Sequence, residues 1–136
     1  MKLTKLTAAC VLICFLTYQP VYANELAKIE VFDASKGTVV RTIQNTQEIQ
    51  DELSKVLRQV HTVYPKAKIE FTDKEIVYKI PIQPPIVKED TVLLEAFIMK
   101  MPANETILIC FDNKDRSFIY RFDHVLPLVD KLSKAY

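Results

Sequence analysis

Few residues in this chain are of the types that support nucleophilic catalysis. The set consists of Cys110 together with the adjacent pair Asp123 and His124. A catalytic thiol needs thiolate character and access to solvent, yet Cys110 lies inside the apolar run 107–111, where a small buried hydrophobe is the usual occupant. We therefore predict no catalytic residue, and a small thiol-dependent enzyme using Cys110 and His124 is the alternative.

Metal ligands are equally sparse. His61 and His124 are the only histidines, and they do not form a His-x-x-x-His pair. Residues 24–136 contain one cysteine, so no pair of closely spaced cysteines is present there. The run Asp112-Asn-Lys-Asp115 places two carboxylates in four residues, but it lacks the alternating acids, the glycine and the final glutamate of a calcium loop. Asp and Asn are common turn formers, so this run is interpreted as a turn. The sequence predicts no metal and no cofactor.

The most unusual composition lies between Lys79 and Val87. An extended, proline-rich ridge with flanking isoleucines could dock a partner, whereas a stiff connector that protects a sheet edge is the alternative. The prolines cannot donate ladder hydrogen bonds, so this strand is expected at or near a sheet edge. The candidate partner surface comprises Pro81, Ile82, Pro84, Pro85 and Ile86.

The first elements predicted along the chain are a hairpin and a helix. Two β-rich runs, 26–33 and 38–43, flank Gly37, the only glycine, which supplies positive φ at the turn. Asn45-Thr-Gln-Glu48 then fits a helix cap followed by an acid. Apolar residues recurring every three or four positions predict an amphipathic helix over about 46–64, ended by Pro65. They are Ile49, Leu53, Val56, Leu57, Val60, Val63 and Tyr64.

The rest of the chain reads mainly as strands. A second hairpin is predicted from 67–72 and 76–82, and 92–99 fits a strand better than a short helix. Runs 107–111 and 116–122 predict a hairpin, whose second arm places Phe118, Tyr120 and Phe122 on one face. Asp123 is expected to cap a short C-terminal helix over about 124–134.

This order of elements predicts an α+β fold with a mainly antiparallel sheet of about five to seven strands. The apolar runs 92–99 and 107–111 need cover on both faces. A helix on each side or a partner subunit could supply that cover. The sequence leaves both alternatives open.

Composition narrows the class of protein. The 136 residues contain 18 Lys and Arg, 17 Asp and Glu and one glycine. A chain of this length fits a single domain, here 24–136. The balanced charge gives no field that would attract nucleic acid, and the lack of a glycine-rich loop removes most phosphate-binding motifs.

The N-terminus has the layout of an export signal. Lys2 and Lys5 precede the apolar stretch 6–16, and Val21-Tyr22-Ala23 fits a signal-peptidase site. We predict a signal peptide over 1–23, cleavage after Ala23 and a secreted or extracytoplasmic protein. The stretch is about half of the roughly 20 residues that span a bilayer, so no transmembrane span is expected after cleavage, and a retained anchor is the alternative. Only Cys110 would remain, which excludes a disulfide within one chain.

Several segments together resemble small exported proteins of Bacillus-type bacteria whose function is unknown. They are Glu30-Val-Phe-Asp33, Gly37-Thr-Val-Val40, Ile43-Gln-Asn-Thr46, Tyr78-Lys-Ile-Pro-Ile82, Pro84-Pro-Ile86 and the hairpin from Phe111-Asp112 to Tyr120-Arg-Phe122. The resemblance implies a secreted bacterial domain and assigns no catalytic residue. We predict a non-enzymatic binding or interaction domain with an unidentified protein or cell-envelope partner. A structural homo-oligomer, such as a homodimer, is a further alternative.

Overall fold

The computed structural model describes residues 25–60 and 75–135, which form one sheet and two helices. The predicted signal segment, His61, the predicted strand 67–72 and the end of the predicted helix lie outside these residues. The elements are β1 (Ile29–Asp33), β2 (Thr38–Ile43), α1 (Gln47–Gln59), β3 (Ile76–Lys88), β4 (Thr91–Met101), β5 (Glu105–Asp112), β6 (Ser117–Phe122) and α2 (Pro127–Lys134), with a short 3₁₀ turn at Pro102–Asn104.

The sheet is antiparallel throughout, with the strand order β2-β1-β3-β4-β5-β6. Successive strands from β3 to β6 are neighbours, and the β1–β2 hairpin joins them through β1. This confirms the predicted α+β fold. The β1–β2 turn follows the sequence prediction, since Gly37 has a φ of 65°.

The N-cap of helix α1 lies one residue later in the chain than the sequence predicted. Thr46, not Asn45, is the N-cap, and its Oγ1 accepts a hydrogen bond of 3.2 Å from the Ile49 N–H. The helix ends at Gln59, where Val60 is already extended, so the described part of the predicted apolar stripe is helical up to that point. Ile49, Leu53 and Leu57 from that stripe are buried.

The prediction that the proline-containing strand lies at a sheet edge is wrong. β3 is an interior strand between β1 and β4. The prolines are tolerated because β1 pairs with β3 only as far as Lys79, and pairing with β4 is interrupted between Pro81 and Ile86. Pro84 and Pro85 therefore lie in the interrupted segment, and Pro81 is the last residue of β3 paired with β4 before it, two positions beyond the end of the β1 pairing.

The segment 92–99 is a strand, as predicted, and belongs to β4. The C-terminal helix also forms, with Pro127 in its first turn. Asp123 does not cap it: α2 starts after Leu126, which makes no side-chain cap. The predicted cap is therefore wrong.

Both helices pack on the same face of the sheet. Residues of α1 and α2 share one buried cluster with the strand residues that point toward them, among them Val31, Tyr78, Ile98, Leu108 and Tyr120. Phe118 and Phe122 pack against this cluster, which confirms the predicted aromatic stripe on β6. Within the described residues, neither helix is both long and apolar enough to cross a bilayer.

Candidate functional site

Cys110 is completely buried on the helix-facing side of β5. Loss of solvent around the sulfur raises the pKa of the Cys110 thiol to about 12, and the Lys88 ammonium acts weakly in the opposite direction. At neutral pH the sulfur is therefore protonated and shielded from substrates. These are the properties of a structural cysteine.

The fold also keeps Cys110 away from His124. The His124 carbonyl accepts a hydrogen bond from Thr106 Oγ1, and Thr106 lies four positions from Cys110 along β5. Four residues of a strand span roughly 13 Å, so the thiol and the imidazole do not meet. His124 Nδ1 instead lies 3.0 Å from the exposed Asp123 carboxylate, which lowers the pKa of that carboxyl.

The acidic turn between β5 and β6 is held by its own hydrogen bonds. Asp112 Oδ1 accepts from the N–H groups of Lys114 and Arg116, and Oδ2 accepts from Arg116 Nε at 2.7 Å. Burial acts to raise the pKa of Asp112, but these hydrogen bonds outweigh it and hold the pKa below its ordinary value. Both oxygens stabilise the turn, and no group of three metal-ligating side chains occurs in the described part of the chain.

The five proline-ridge residues do not form one surface. Ile82 is buried in the core, Ile86 packs against that core, and Pro84 and Pro85 are exposed. Pro81 faces the side of the sheet opposite the helices, because it alternates with the buried Ile80 and Ile82. With the exception of Pro81, the ridge lines a groove of about 640 Å³ against α1.

The buried side-chain amide of Gln50 connects α1 to the proline-containing part of β3 beside this groove. Gln50 Nε2 donates to the Pro81 carbonyl at 2.8 Å and to Asn45 Oδ1 at 2.9 Å, while Gln50 Oε1 accepts from the Gln83 N–H at 3.0 Å. Asn45 Nδ2 in turn donates to the Ala27 carbonyl at 3.0 Å. The side chain of Gln50 therefore replaces the ladder partners that the bulge lacks.

Lys88, at the far end of the groove, also has a structural role. Its Nζ donates to the carbonyls of Leu57 and Val60, which belong to the last turn of α1 and the residue after it. Nζ lies 5.7 Å from the centre of the Tyr120 ring. The buried amide and the ammonium of the groove thus hold the helix and the bulge together.

The other face of the sheet carries no helix among the described residues. We call it the open face, and it is defined by a second apolar cluster together with two adjoining residues, Val39 and Phe111. The cluster contains Phe32, Val77, Phe97, Met99, Met101, Ile107, Ile109 and Ile119. No residue of α1 or α2 belongs to it.

The strand register arranges this cluster in rows across the sheet. Phe32, Val77, Met99 and Ile107 are consecutive cross-strand partners from β1 to β5. A second row runs Phe97, Ile109, Ile119 from β4 to β6. Directly opposed apolar side chains shield one another, which explains why the centre of the face is buried while its margins are half-exposed.

A trough of about 490 Å³ runs along the open face. Its floor includes Val77 and Met99, which are 9% and 1% exposed. Phe97 and Phe111 form one wall, with their rings edge to face at a centroid distance of 5.4 Å. Val39, 49% exposed, stands on the β2 side.

The charged residues of the open face pair with one another. Lys79 Nζ lies 3.7 Å from Glu30 and 3.9 Å from Glu95. Arg121 donates from Nε to Glu105 at 3.0 Å. Each side chain in these ion pairs is at least a quarter exposed, so the pairs remain solvated and add little stability. They lie beside the apolar rows.

Sequence reasoning anticipated an uncovered sheet face only as one of two alternatives. The apolar runs of β4 and β5 show that both faces of those strands are apolar, but they do not show where two helices pack. Alternation on β1, which places Phe32 opposite the buried Val31, is the other available signal. No protein-family model, curated protein or solved structure matches the chain.

Proposed function

We propose that this protein is an exported, non-enzymatic binding domain whose working surface is the open face. One observation carries the proposal: apolar side chains lie side by side on adjacent strands of a face that no described helix covers. Five residues of the cluster are partly exposed, and Val39 beside them is 49% exposed. A contiguous apolar surface that reaches solvent is typical of interaction sites.

The residues whose side chains could take part in a reaction have structural roles, which favours a binding role over catalysis. Cys110 is buried and protonated, and it lies four positions along β5 from Thr106, the residue that bonds the His124 carbonyl. In the groove beside the proline ridge, Gln50 and Lys88 are occupied by bonds that hold the bulge and α1. A catalytic site needs a nucleophile or base free to reach a substrate.

Uptake of the neutral apolar dye Nile red tests the proposal. The purified protein, at low micromolar concentration, should increase the dye fluorescence, because the trough offers an accessible apolar surface. Phe97→Asp places a charge in the wall of the trough and should reduce this uptake about fivefold or more. Circular dichroism would establish that the variant is folded.

Val87→Asp is the matched control. Val87 is apolar and 72% exposed, but it lines the groove beside the proline ridge and belongs to neither the second apolar cluster nor the trough. Its substitution should leave dye uptake unchanged. Absence of uptake by the folded wild-type protein, or equal losses in the two variants, would contradict the proposed function.

A further inference from the structure

The occupant of the open face can be inferred from its breadth, its area and its charges. We propose that the open face binds a second copy of the same chain, so that two sheets pack face to face around a two-fold axis. This inference rests on the proposed function, since it names the partner of the same surface.

Breadth is the first argument. One apolar row crosses four adjacent strands from Phe32 to Ile107, and the other reaches β6 at Ile119. Strands are about 4.8 Å apart and a helix with its side chains is about 10–12 Å wide, so one helix or one added strand would leave several strands uncovered. A second sheet, packed about 10 Å away, covers the whole row.

Area is the second argument. Six strands spaced about 4.8 Å apart, with apolar positions extending over about six residues along the central strands, give a face of roughly 24 by 20 Å, or about 500 Å². Two such faces in contact bury about 1,000 Å², the lower end of the range for specific interfaces. This is the size of weak, reversible complexes, and we expect the dimer to dissociate at micromolar concentrations.

Charge is the third argument. Among the described residues, the ion pairs of the open face involve three acids and two bases: Glu30, Glu95, Glu105, Lys79 and Arg121. The net charge of these residues is therefore −1, and each base is already paired with an acid on the same face. Such a surface does not select a strongly charged partner, and an identical face meets it without large repulsion. Closed two-fold dimers are also the commonest homo-oligomers.

Sedimentation velocity over a protein series from about 5 to 500 µM tests the inference, because a micromolar dimer dissociates within this range. The wild-type protein should change from the mass of one chain to the mass of two. Phe97→Asp should remain monomeric throughout, whereas Val87→Asp should dimerise as the wild type does. A dimer that persists in Phe97→Asp would overturn the face-to-face arrangement in favour of pairing at a sheet edge.

Lys79→Glu provides a test that does not depend on changing the apolar surface. The side chain of Lys79 is 38% exposed and its ion pairs are solvated, so this variant should fold. It changes the charge of each open face from −1 to −3, and the dimer should weaken about tenfold at low salt and recover at about 0.5 M salt. Lys55→Glu, on the exposed side of α1, makes the same charge change away from the face and should have no such effect.

The outcomes separate the inference from the proposed function. If the wild-type protein stays monomeric at about 500 µM but takes up Nile red through Phe97, the inference of a second copy is wrong and the binding surface stands. If the wild-type protein stays monomeric and takes up no dye, the proposed binding function and the inference of a second copy are both wrong. Dimerisation abolished by Phe97→Asp and weakened by Lys79→Glu supports both.

Discussion

At the scale of single residues, the side chains with the most reactive chemistry have structural roles. Cys110 fills a core position on β5, and Asp112 ties the β5–β6 turn with both carboxylate oxygens. Thr106 Oγ1 donates to the His124 carbonyl and accepts from the Leu126 N–H, which fixes the chain leading into α2. The polar groups of Asp112 and Thr106 are therefore engaged in holding the fold, and Cys110 is enclosed in the core.

The buried thiol should make stability depend on pH. The pKa of Cys110 is raised from 9.0 to about 12 in the folded protein, so its stabilising contribution is complete below pH 9 and is lost as pH rises toward 12. Cys110→Ala should cost about 1 kcal/mol at pH 7.5 through lost packing. At pH 10.5 the wild type should lose about 2 kcal/mol relative to the variant, which then becomes the more stable protein.

Urea unfolding of both proteins at the two pH values measures this change. The other ionisable groups are common to both proteins, so the difference between the two free energies of unfolding reports the thiol together with its electrostatic effect on Tyr120, whose pKa is raised by burial and by Cys110. A difference that does not change with pH would contradict the assignment of Cys110 as a buried, protonated residue. Rapid alkylation of native Cys110 would also contradict it and would favour the thiol-enzyme alternative.

At the scale of elements, a proline-rich bulge is held inside a sheet by one amide from a helix. Gln50 bonds the Pro81 carbonyl and the Gln83 N–H, so the position of α1 and the shape of β3 depend on each other. Lys88 makes the corresponding link at the other end of α1 by donating to the Leu57 carbonyl. These bonds explain how β3 tolerates three prolines as an interior strand.

Gln50→Leu tests this coupling. Leucine and glutamine have similar helix propensities, so the change chiefly removes hydrogen bonds to the bulge and to Asn45. The free energy of unfolding should fall by about 2 kcal/mol, because backbone groups of the bulge lose their partner. The measurement is urea unfolding monitored by circular dichroism.

Gln47→Leu is the control for this substitution. Gln47 is exposed, and within the described part of the chain its amide donates to Asp51 on the same helix. Its substitution should change the free energy of unfolding by less than about 0.5 kcal/mol. Equal effects of the two substitutions would show that Gln50 does not hold the bulge.

Local patterns predicted most elements because each carries its own signal. Gly37 marks the first hairpin, and the three-four spacing of Ile49, Leu53 and Leu57 marks α1. The place of β3 in the sheet was not predictable, because it depends on a hydrogen bond from Gln50, thirty-one residues before Pro81. The start of α2 was predicted too early because its N-cap is Leu126, whose side chain cannot cap a helix and gives no sequence signal.

At the scale of the whole molecule, one face of the sheet is covered by two helices, and the other is apolar and carries no helix from residues 25–60 or 75–135. The apolar runs of β4 and β5 predicted cover on both faces, and α1 and α2 both lie on one of them. The sequence could not decide this point. Which face a helix covers is set by long-range contacts such as the hydrogen bond of 2.8 Å from Gln50, on α1, to the Pro81 carbonyl, on β3.

The most direct test of the open face is methyl NMR with a soluble paramagnetic relaxation agent, recorded at low and high protein concentration. We expect the methyl groups of Ile109 and Ile119 to be relaxed strongly in dilute protein and protected in concentrated protein. Ile49 and Ile80, buried on the helix side, should be protected in both. If Ile109 and Ile119 are as protected as Ile80 in dilute protein, the open face is already covered and the account is contradicted.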